Sequence, residues 1–143
     1  MATESDSVAI ARAWIGTPYV HQASVKGAGC DCLGLLRGVW RDLRGPEPET
    51  PPAYSPDWAE AAGRETLHAA LARHLDEIAI GALAPGDVAL FRMARRGPAK
   101  HCGIVGADGA GRLTLIHACQ NHCVAEEPLT PFWRRKLASA FRF

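Results

Sequence analysis

The feature that most constrains this chain is a cysteine, Cys32, placed where a glycine-rich loop gives way to a predicted helix. The loop around Gly27 and Gly29 is small and flexible, and the segment after it carries apolar residues at three- and four-residue spacing, as a buried helix does. At a helix start, unpaired backbone N–H groups and the positive end of the macrodipole favour a thiolate. Cys32 is therefore a candidate nucleophile. The apolar residues of the helix are Leu33, Leu35, Leu36, Val39, Trp40 and Leu43, and Gly45 with Pro46 ends it.

The composition indicates one compact domain over residues 1–143. A chain of 143 residues with 48% hydrophobic content suits a single core. Its 16 Lys and Arg against 15 Asp and Glu give a net charge of +1, so no overall field favours nucleic acid or an anionic membrane. The N-terminus lacks the basic and apolar regions of a secretory signal, and no apolar run approaches membrane-spanning length. These features predict synthesis in the cytoplasm without membrane insertion.

The five cysteines form an odd number in a chain without an export signal, which favours free thiols over a disulfide framework. The C-x-C spacing of Cys30 and Cys32, with histidines beside the later cysteines, leaves a zinc site open as an alternative. Its ligands would be Cys30, Cys32, His101 and His117. Cys30 is otherwise predicted to be a small buried hydrophobe, the alternative being a strained, reversible disulfide with Cys32.

The first half of the chain reads as helical. A helix is predicted over residues 8–15, capped by Asp6 or Ser7, and Gly38 inside the helix after Cys32 indicates close packing. Five prolines between Pro46 and Pro56 predict an ordered surface connection. A helix opening at Ser55-Pro56-Asp57 and an amphipathic segment over residues 67–75 are predicted to form an insert or wall beside the site.

In the second half of the chain, the apolar residues change from a helical spacing to the spacing of strands. Short strands separated by turn residues are predicted at 88–93, 103–107, 113–118, 123–126 and 138–143, with a hairpin turn at Asp108-Gly109. Helices followed by antiparallel strands indicate an α+β fold.

A cysteine nucleophile needs a base, and six histidines compete for that role. His68 and His74 lie on an alanine- and leucine-rich helix, where solvent or a core hydrogen bond explains them, whereas His21 can line the cleft from the loop before Cys32. His101 begins one predicted strand, and His117 ends the next. Hairpin pairing would bring these two strands together, so one histidine could hold the ring of the other.

Five short motifs, in this order and spacing, resemble the NlpC-type family of papain-like cell-wall cysteine peptidases over nearly the whole chain. They are Thr17-Pro18-Tyr19, Asp31-Cys32-Leu33-Gly34-Leu35, Pro85-Gly86-Asp87, His101-Cys102-Gly103-Ile104-Val105 and Ile116-His117-Ala118. The Gly-Cys-Asp-Cys-Leu-Gly-Leu run and the closing Phe132-Trp133-Arg134-Arg135 and Phe141-Arg142-Phe143 resemble members from phage tails and gene transfer agents.

The resemblance implies a nucleophile-bearing helix packed on an antiparallel sheet that carries the histidines. It implies Cys32 as nucleophile, His101 as general base and His117 as the residue that orients the base. Tyr19 matches a tyrosine that assists the oxyanion or the substrate, and Asp31 a carboxylate that helps to recognise a stem-peptide amine.

The implied reaction is hydrolysis of an amide bond in peptidoglycan stem peptides, most specifically between D-γ-glutamate and the diamino acid, without metal or cofactor. Tail hub proteins are the implied partners, and incorporation into a phage-like tail that acts at the cell wall or in the periplasm is the implied location. An inactive structural tail component is the alternative. Two departures bear on specificity and regulation, because many relatives have Ser where this chain has Leu33 and an apolar residue where it has Cys30.

Overall fold

The computed structural model describes residues 3–51 and 65–143 of the chain. The predicted helix opening at Ser55-Pro56-Asp57 lies outside these residues. None of the helices in the described ranges has the length and apolar composition that a membrane crossing requires.

Helices and short strands alternate in the first half of the chain, and strands dominate the second half, as expected for an α+β fold. The helices are α1 (Thr3–Arg12), α2 (Cys32–Arg44), α3 (Thr66–His74) and α4 (Pro131–Lys136), with a 3-10 turn at Ile80–Ala82. The strands are β1 (Ser24–Val25), β2 (Gly29–Cys30), β3 (Asp76–Ile78), β4 (Val88–Phe91), β5 (His101–Ala107), β6 (Leu113–Ala118), β7 (Val124–Pro128) and β8 (Leu137–Arg142).

Six of these strands form one antiparallel sheet in the order β3-β8-β4-β5-β6-β7, while β1 and β2 pair as a small hairpin just before α2. The β5–β6 connection is the predicted tight turn, in which Asp108 Oδ1 accepts the N–H groups of Ala110 and Arg112. The fold class is therefore confirmed, with the cysteine-bearing helix packed against the sheet.

The two faces of the sheet bury separate apolar clusters. Along β4, Val88 and Leu90 belong to the cluster under α1, α2 and α3, whereas Ala89 and Phe91 belong to a smaller cluster on the other face. Successive side chains of a strand point to opposite faces, so one short strand contributes to both cores. The smaller cluster includes Trp133 of α4 at its border.

Close packing fixes α2 against the start of the chain. A Cβ built on Gly38 would lie 2.0 Å from Cζ2 of Trp14, which leaves no room for any side chain. The close packing predicted for Gly38 is confirmed, and its partner is the indole of Trp14.

Several boundaries differ from prediction. The first helix covers Thr3–Arg12 and not residues 8–15, so the predicted cap at Asp6 or Ser7 is wrong. Ser7 lies inside the helix, fully buried, and its hydroxyl donates to the carbonyl of Gly86 at 3.1 Å. The strand predicted at 123–126 runs from Val124 to Pro128. The strands β1, β2 and β3 were not predicted, because two or three residues leave no readable period, and the six-residue helix α4 was not predicted either.

Replacing Gly38 with alanine is expected to destabilise the fold. The new methyl group overlaps the ring of Trp14, an overpacking that costs about 1–3 kcal/mol and exceeds the roughly 1 kcal/mol that alanine gains over glycine in a helix. Urea unfolding should show this loss. Gly81→Ala is the matched control, since nothing lies within 4 Å of the added methyl group. Equal stability of the two variants would contradict this packing account.

Candidate active site

Cys32 is the first residue of α2, and the residue before it caps the helix. Asp31 is 2% exposed, and its Oδ1 accepts the N–H of Gly34 at 2.7 Å. Its Oδ2 accepts the N–H of Gln22, also at 2.7 Å, so the carboxylate ties the preceding loop to the helix start. A side-chain cap of this kind fixes the first turn and so fixes the position of the thiol.

The first turn leaves two N–H groups for a ligand. The N–H of Gly34 goes to the Asp31 side chain, and that of Leu35 to the Asp31 carbonyl at 2.9 Å. Among the described residues, the N–H groups of Cys32 and Leu33 have no protein acceptor. They point from the positive end of α2 and can bind a developing oxyanion.

The half-buried thiol of Cys32 lies at the end of the central sheet, with its Sγ 3.7 Å from the carbonyl oxygen of Lys100. The Cys102 thiol donates to the carbonyl oxygen of Cys32 at 3.5 Å. Its interaction with the Cys32 thiol, followed by hydrogen bonding with and the charge of His101, holds the pKa of Cys32 well below its usual range. The same contact raises the pKa of Cys102, which stays a thiol. Cys32 is therefore the thiolate of the pair.

His101 and His117 form a pair of imidazoles behind the thiol, with His101 Nε2 2.9 Å from His117 Nδ1. In the β5–β6 ladder, Ile104 pairs with Ile116. One residue further along each strand, the same register places Gly103 opposite His117. A Cβ on Gly103 would lie 3.0 Å from that of His117, so the glycine gives the imidazole room to reach His101 diagonally. Burial, followed by the charge of His101, lowers the pKa of His117 and keeps its ring neutral.

A carboxylate continues the chain of hydrogen bonds. Glu127 on β7 places Oε2 2.7 Å from His117 Nε2, and its Oε1 accepts the indole N–H of Trp133 at 3.1 Å. Trp133 also stacks on His101, with ring centroids 5.7 Å apart and an interplanar angle of 27°. Burial works against the charge, but the hydrogen bonds from His117 and Trp133 lower the pKa of Glu127.

Sequence reasoning missed Glu127 and the role of Trp133. The strand predicted at 123–126 stopped one residue short of Glu127. Extended by one residue, the alternation of β7 would have placed Glu127 on the same face as Ala125, which pairs with His117. The register of β7 against β6 and the return of Trp133 from α4 both come from the structure, so the sequence alone carried no signal for either residue.

Tyr19 and Cys30 lie on the other side of the helix start, where Tyr19 forms a parallel bridge with Cys30. Burial, with smaller contributions from the charges of Cys32 and Asp31, raises the pKa of the half-buried Tyr19 to about 12. Its hydroxyl therefore keeps its proton beside the thiolate. Cys30 is fully buried in the main core, as predicted for a small buried hydrophobe, and burial raises its pKa to about 12.

The remaining candidates lie outside the hydrogen-bonded chain. His21 Nδ1 is 3.9 Å from Asp31 Oδ2, on the loop before α2. His68 contacts Glu77 at 3.1 Å and His74 contacts Glu49, so both histidines of α3 have surface carboxylate partners. Leu33 lines an apolar groove between α2 and α3 together with Leu36, Trp40 and Leu71.

The four predicted zinc ligands are not gathered around one point. Cys30 faces the core, because the C-x-C pattern places its two cysteines on different sides of the strand-to-helix junction. Within the described ranges, the donors that come within reach of a single ion are those of His117, Cys119 and Glu127.

No model of a known protein family matches the chain. The γ-DL-glutamyl hydrolase of Bacillus subtilis (strain 168) is 30% identical over 137 residues, covering 93% of this chain and 28% of that protein. The chain thus spans less than a third of this curated relative.

Solved structures match over nearly the full chain. An NlpC/P60 family protein from Bacillus cereus ATCC 10987 superposes with a TM-score of 0.67 at 22% identity, covering 98% of this chain and 40% of that one. The NlpC/p60 domain of the peptidoglycan hydrolase SagA gives a TM-score of 0.66 at 23% identity and covers 98% of both chains. NlpC2 from Trichomonas vaginalis gives 0.68 at 20% identity, over 100% of this chain and 47% of that one.

The chain has the NlpC/P60 fold. Within this fold, the N-terminus of α2 and the β5–β6 ladder place Cys32, His101 and His117 together at one end of the sheet. Asp31 is drawn inward as the cap of α2, and Glu127 and Trp133 complete the surroundings of the two histidines.

Removing the Cys102 thiol is expected to raise the pH at which Cys32 becomes reactive. Cys102 lies against Cys32 and favours its thiolate, so Cys102→Ala should slow alkylation of Cys32 on the acidic side of the profile. The measurement is the rate of carbamidomethylation at Cys32 against pH, resolved by peptide mass spectrometry. Cys123→Ala is the matched control and should keep the native profile. An unchanged midpoint in Cys102→Ala would refute the contact.

Proposed function

We propose that this chain is one catalytic domain, a cysteine peptidase that hydrolyses an amide bond in peptidoglycan stem peptides. The observation that carries the proposal is the continuous hydrogen-bonded chain from His101 through His117 to Glu127, placed behind a thiolate at a helix start. A buried core histidine needs one partner. Two hydrogen-bonded histidines that end on a carboxylate and begin at an ionised cysteine are the arrangement that nucleophilic catalysis requires.

The hydrogen-bond chain determines which ring nitrogen of each histidine carries a proton. Glu127 accepts from His117 Nε2, which leaves His117 Nδ1 as an acceptor for the Nε2–H of His101. His101 then presents Nδ1 to Cys32 and takes the thiol proton there. The resulting imidazolium and thiolate stabilise each other.

Hydrolysis proceeds in two steps. The thiolate of Cys32 attacks the amide carbonyl carbon, and the oxyanion is held by the N–H groups of Cys32 and Leu33 with the protonated hydroxyl of Tyr19. The imidazolium of His101 protonates the leaving amine as the C–N bond breaks, which leaves a thioester. Water then attacks the thioester with His101 as base, and the carboxylate product leaves as the thiol is restored.

The bond we assign is the one between D-γ-glutamate and the diamino acid of the stem. Support comes from the Bacillus subtilis relative, a γ-DL-glutamyl hydrolase, and from the structural match to the domain of a peptidoglycan hydrolase. By the resemblance, Asp31, the cap of α2 beside Cys32, is the predicted contact for the stem-peptide amine. Leu33, the residue after Cys32, lines the apolar α2–α3 groove.

We further infer that the domain works in a phage or gene transfer agent tail, from which it reaches the cell wall. The sequence resemblance of its Gly-Cys-Asp-Cys-Leu-Gly-Leu run supports this setting. Arg95, Arg96 and Arg135 are exposed and available for a tail hub protein. Copurification with tail proteins from particles, lost when these arginines are changed to glutamate, tests the docking separately from the chemistry.

Digestion of purified peptidoglycan tests the reaction. We expect products with a new N-terminal diamino acid, identified by mass spectrometry, and a loss of at least about 10³-fold in rate for Cys32→Ala. Cys123→Ala, which removes a thiol elsewhere, should digest at the native rate. Digestion by Cys32→Ala at the native rate would eliminate Cys32 as nucleophile.

Glu127 is expected to act by positioning His117. Glu127→Gln cannot accept from both His117 and Trp133, so kcat should fall by about 10- to 100-fold while KM stays unchanged. Steady-state kinetics on a synthetic stem peptide, with the pH profile of kcat, measures the effect. Glu126→Gln is the matched control, because that neighbouring carboxylate pairs with Arg12 away from the histidines. A change in KM alone would show that Glu127 contacts the substrate instead.

A further inference from the structure

Three donor groups of different chemistry meet at the junction of β6 and β7. His117, Cys119 and Glu127 each place a ligand atom within 4.8 Å of the others. The Sγ of Cys119 lies 3.6 Å from His117 Nε2, and Glu127 Oε2 lies 2.7 Å from the same nitrogen. The imidazole nitrogen is therefore the common point of the cluster.

These separations suit a tetrahedral zinc ion. Zinc–sulfur and zinc–nitrogen bonds of about 2.3 Å and 2.0 Å at a tetrahedral angle place the two ligand atoms roughly 3.5 Å apart. The Cys119–His117 Nε2 distance of 3.6 Å matches this length, but Sγ also lies 4.0 Å from Nδ1, so the Cys119 side chain must turn from beside the ring toward Nε2 to share the ion. The carboxylate must withdraw by roughly 0.7 Å to reach the corresponding nitrogen–oxygen separation. The side chain of Glu127 is 40% exposed and has room to move.

The donor set also selects the kind of ion. One thiolate, one imidazole and one carboxylate suit zinc better than the oxygen-seeking magnesium or calcium ions. His117 is 2% exposed, whereas Cys119 is half-buried, so an ion can enter from the side of Cys119 and Glu127. Three protein ligands leave the fourth position to water.

We propose that His117, Cys119 and Glu127 form a binding site for Zn²⁺ that switches off the Cys32–His101 pair. The site is distinct from the C-x-C alternative, since neither Cys30 nor Cys32 takes part. Zinc binding stands apart from the proposed peptidase activity, and only the inhibition depends on Cys32 acting with His101.

The inhibition follows from the two nitrogens of His117. In the structure, His117 Nδ1 accepts the N–H of His101 across 2.9 Å while Nε2 donates to Glu127. Zinc binding releases the thiol proton of Cys119 to solvent, and zinc on Nε2 shifts the ring proton of His117 to Nδ1. His117 becomes a donor where His101 needs an acceptor. The base loses its orienting hydrogen bond.

Cobalt(II), a zinc substitute whose thiolate complexes absorb in the near ultraviolet, locates the site. We expect a thiolate-to-cobalt band with the native protein and with Cys32→Ala, but not with Cys119→Ser, which keeps the side-chain volume. Cys119→Ala, checked for cooperative unfolding, should also lack the band. A band lost in Cys32→Ala and kept in Cys119→Ser would place the ion at the nucleophile and overturn the proposal, as would the absence of any band.

The switch is read out at Cys32 without substrate. One equivalent of Zn²⁺ should slow alkylation of Cys32 by roughly tenfold or more in the native protein, and a chelator should restore the rate. In Cys119→Ser the rates with and without zinc should agree. Equal protection of Cys32 by zinc in Cys119→Ser would contradict the proposed route. This assay stays informative if peptidoglycan is not cleaved, because it measures only the thiol.

Discussion

The hydrogen bond between His101 and His117 is the contact on which the rest of the site depends. It joins two strands across 2.9 Å and forces each ring to show a defined nitrogen to its other neighbour. One end of this pair meets the ionised Cys32, and the other meets Glu127. Because imidazole has one donor and one acceptor when neutral, fixing the proton at Glu127 fixes it at His101 as well.

The fold supplies the precision that this contact needs. Asp31 holds the first turn of α2, Gly38 lets that helix press on Trp14, and Gly103 opens the diagonal path between the histidines. A larger side chain at either glycine, or an uncharged one at position 31, would change these contacts. Trp133 closes the arrangement from the C-terminal helix by stacking on His101 while it donates to Glu127. The site is thus built from both ends of the chain.

The sequence predicted the parts of this structure that repeat along the chain. The helix after Cys32 has a clear apolar period, and the strand carrying His117 has turn residues at both ends, so α2 and β6 could be placed from residues alone. The turn at Asp108 pairs β5 with β6, and this pairing brings His101 and His117 onto adjacent strands. The α+β class followed from the same patterns.

What the sequence could not predict depends on contacts between distant segments. Asp31 reads equally well as a substrate ligand or a helix cap, and only the bonds to Gln22 and Gly34 reveal the second role. Glu127 cannot be distinguished from any other surface residue of a strand until the register of β7 against His117 on β6 is known. The same holds for Cys119, whose place beside the imidazole comes from the turn between β6 and β7.

Trapping the covalent intermediate tests the central claim most directly. A synthetic stem peptide mixed with the protein and quenched in acid within the first turnover should leave an acyl group on Cys32, with the mass of the fragment that ends at γ-glutamate. Peptide mapping should place that mass on Cys32 and on no other cysteine. Release of the amine product with no acyl group on Cys32 at any time would contradict the account, because hydrolysis would then proceed without the thiolate.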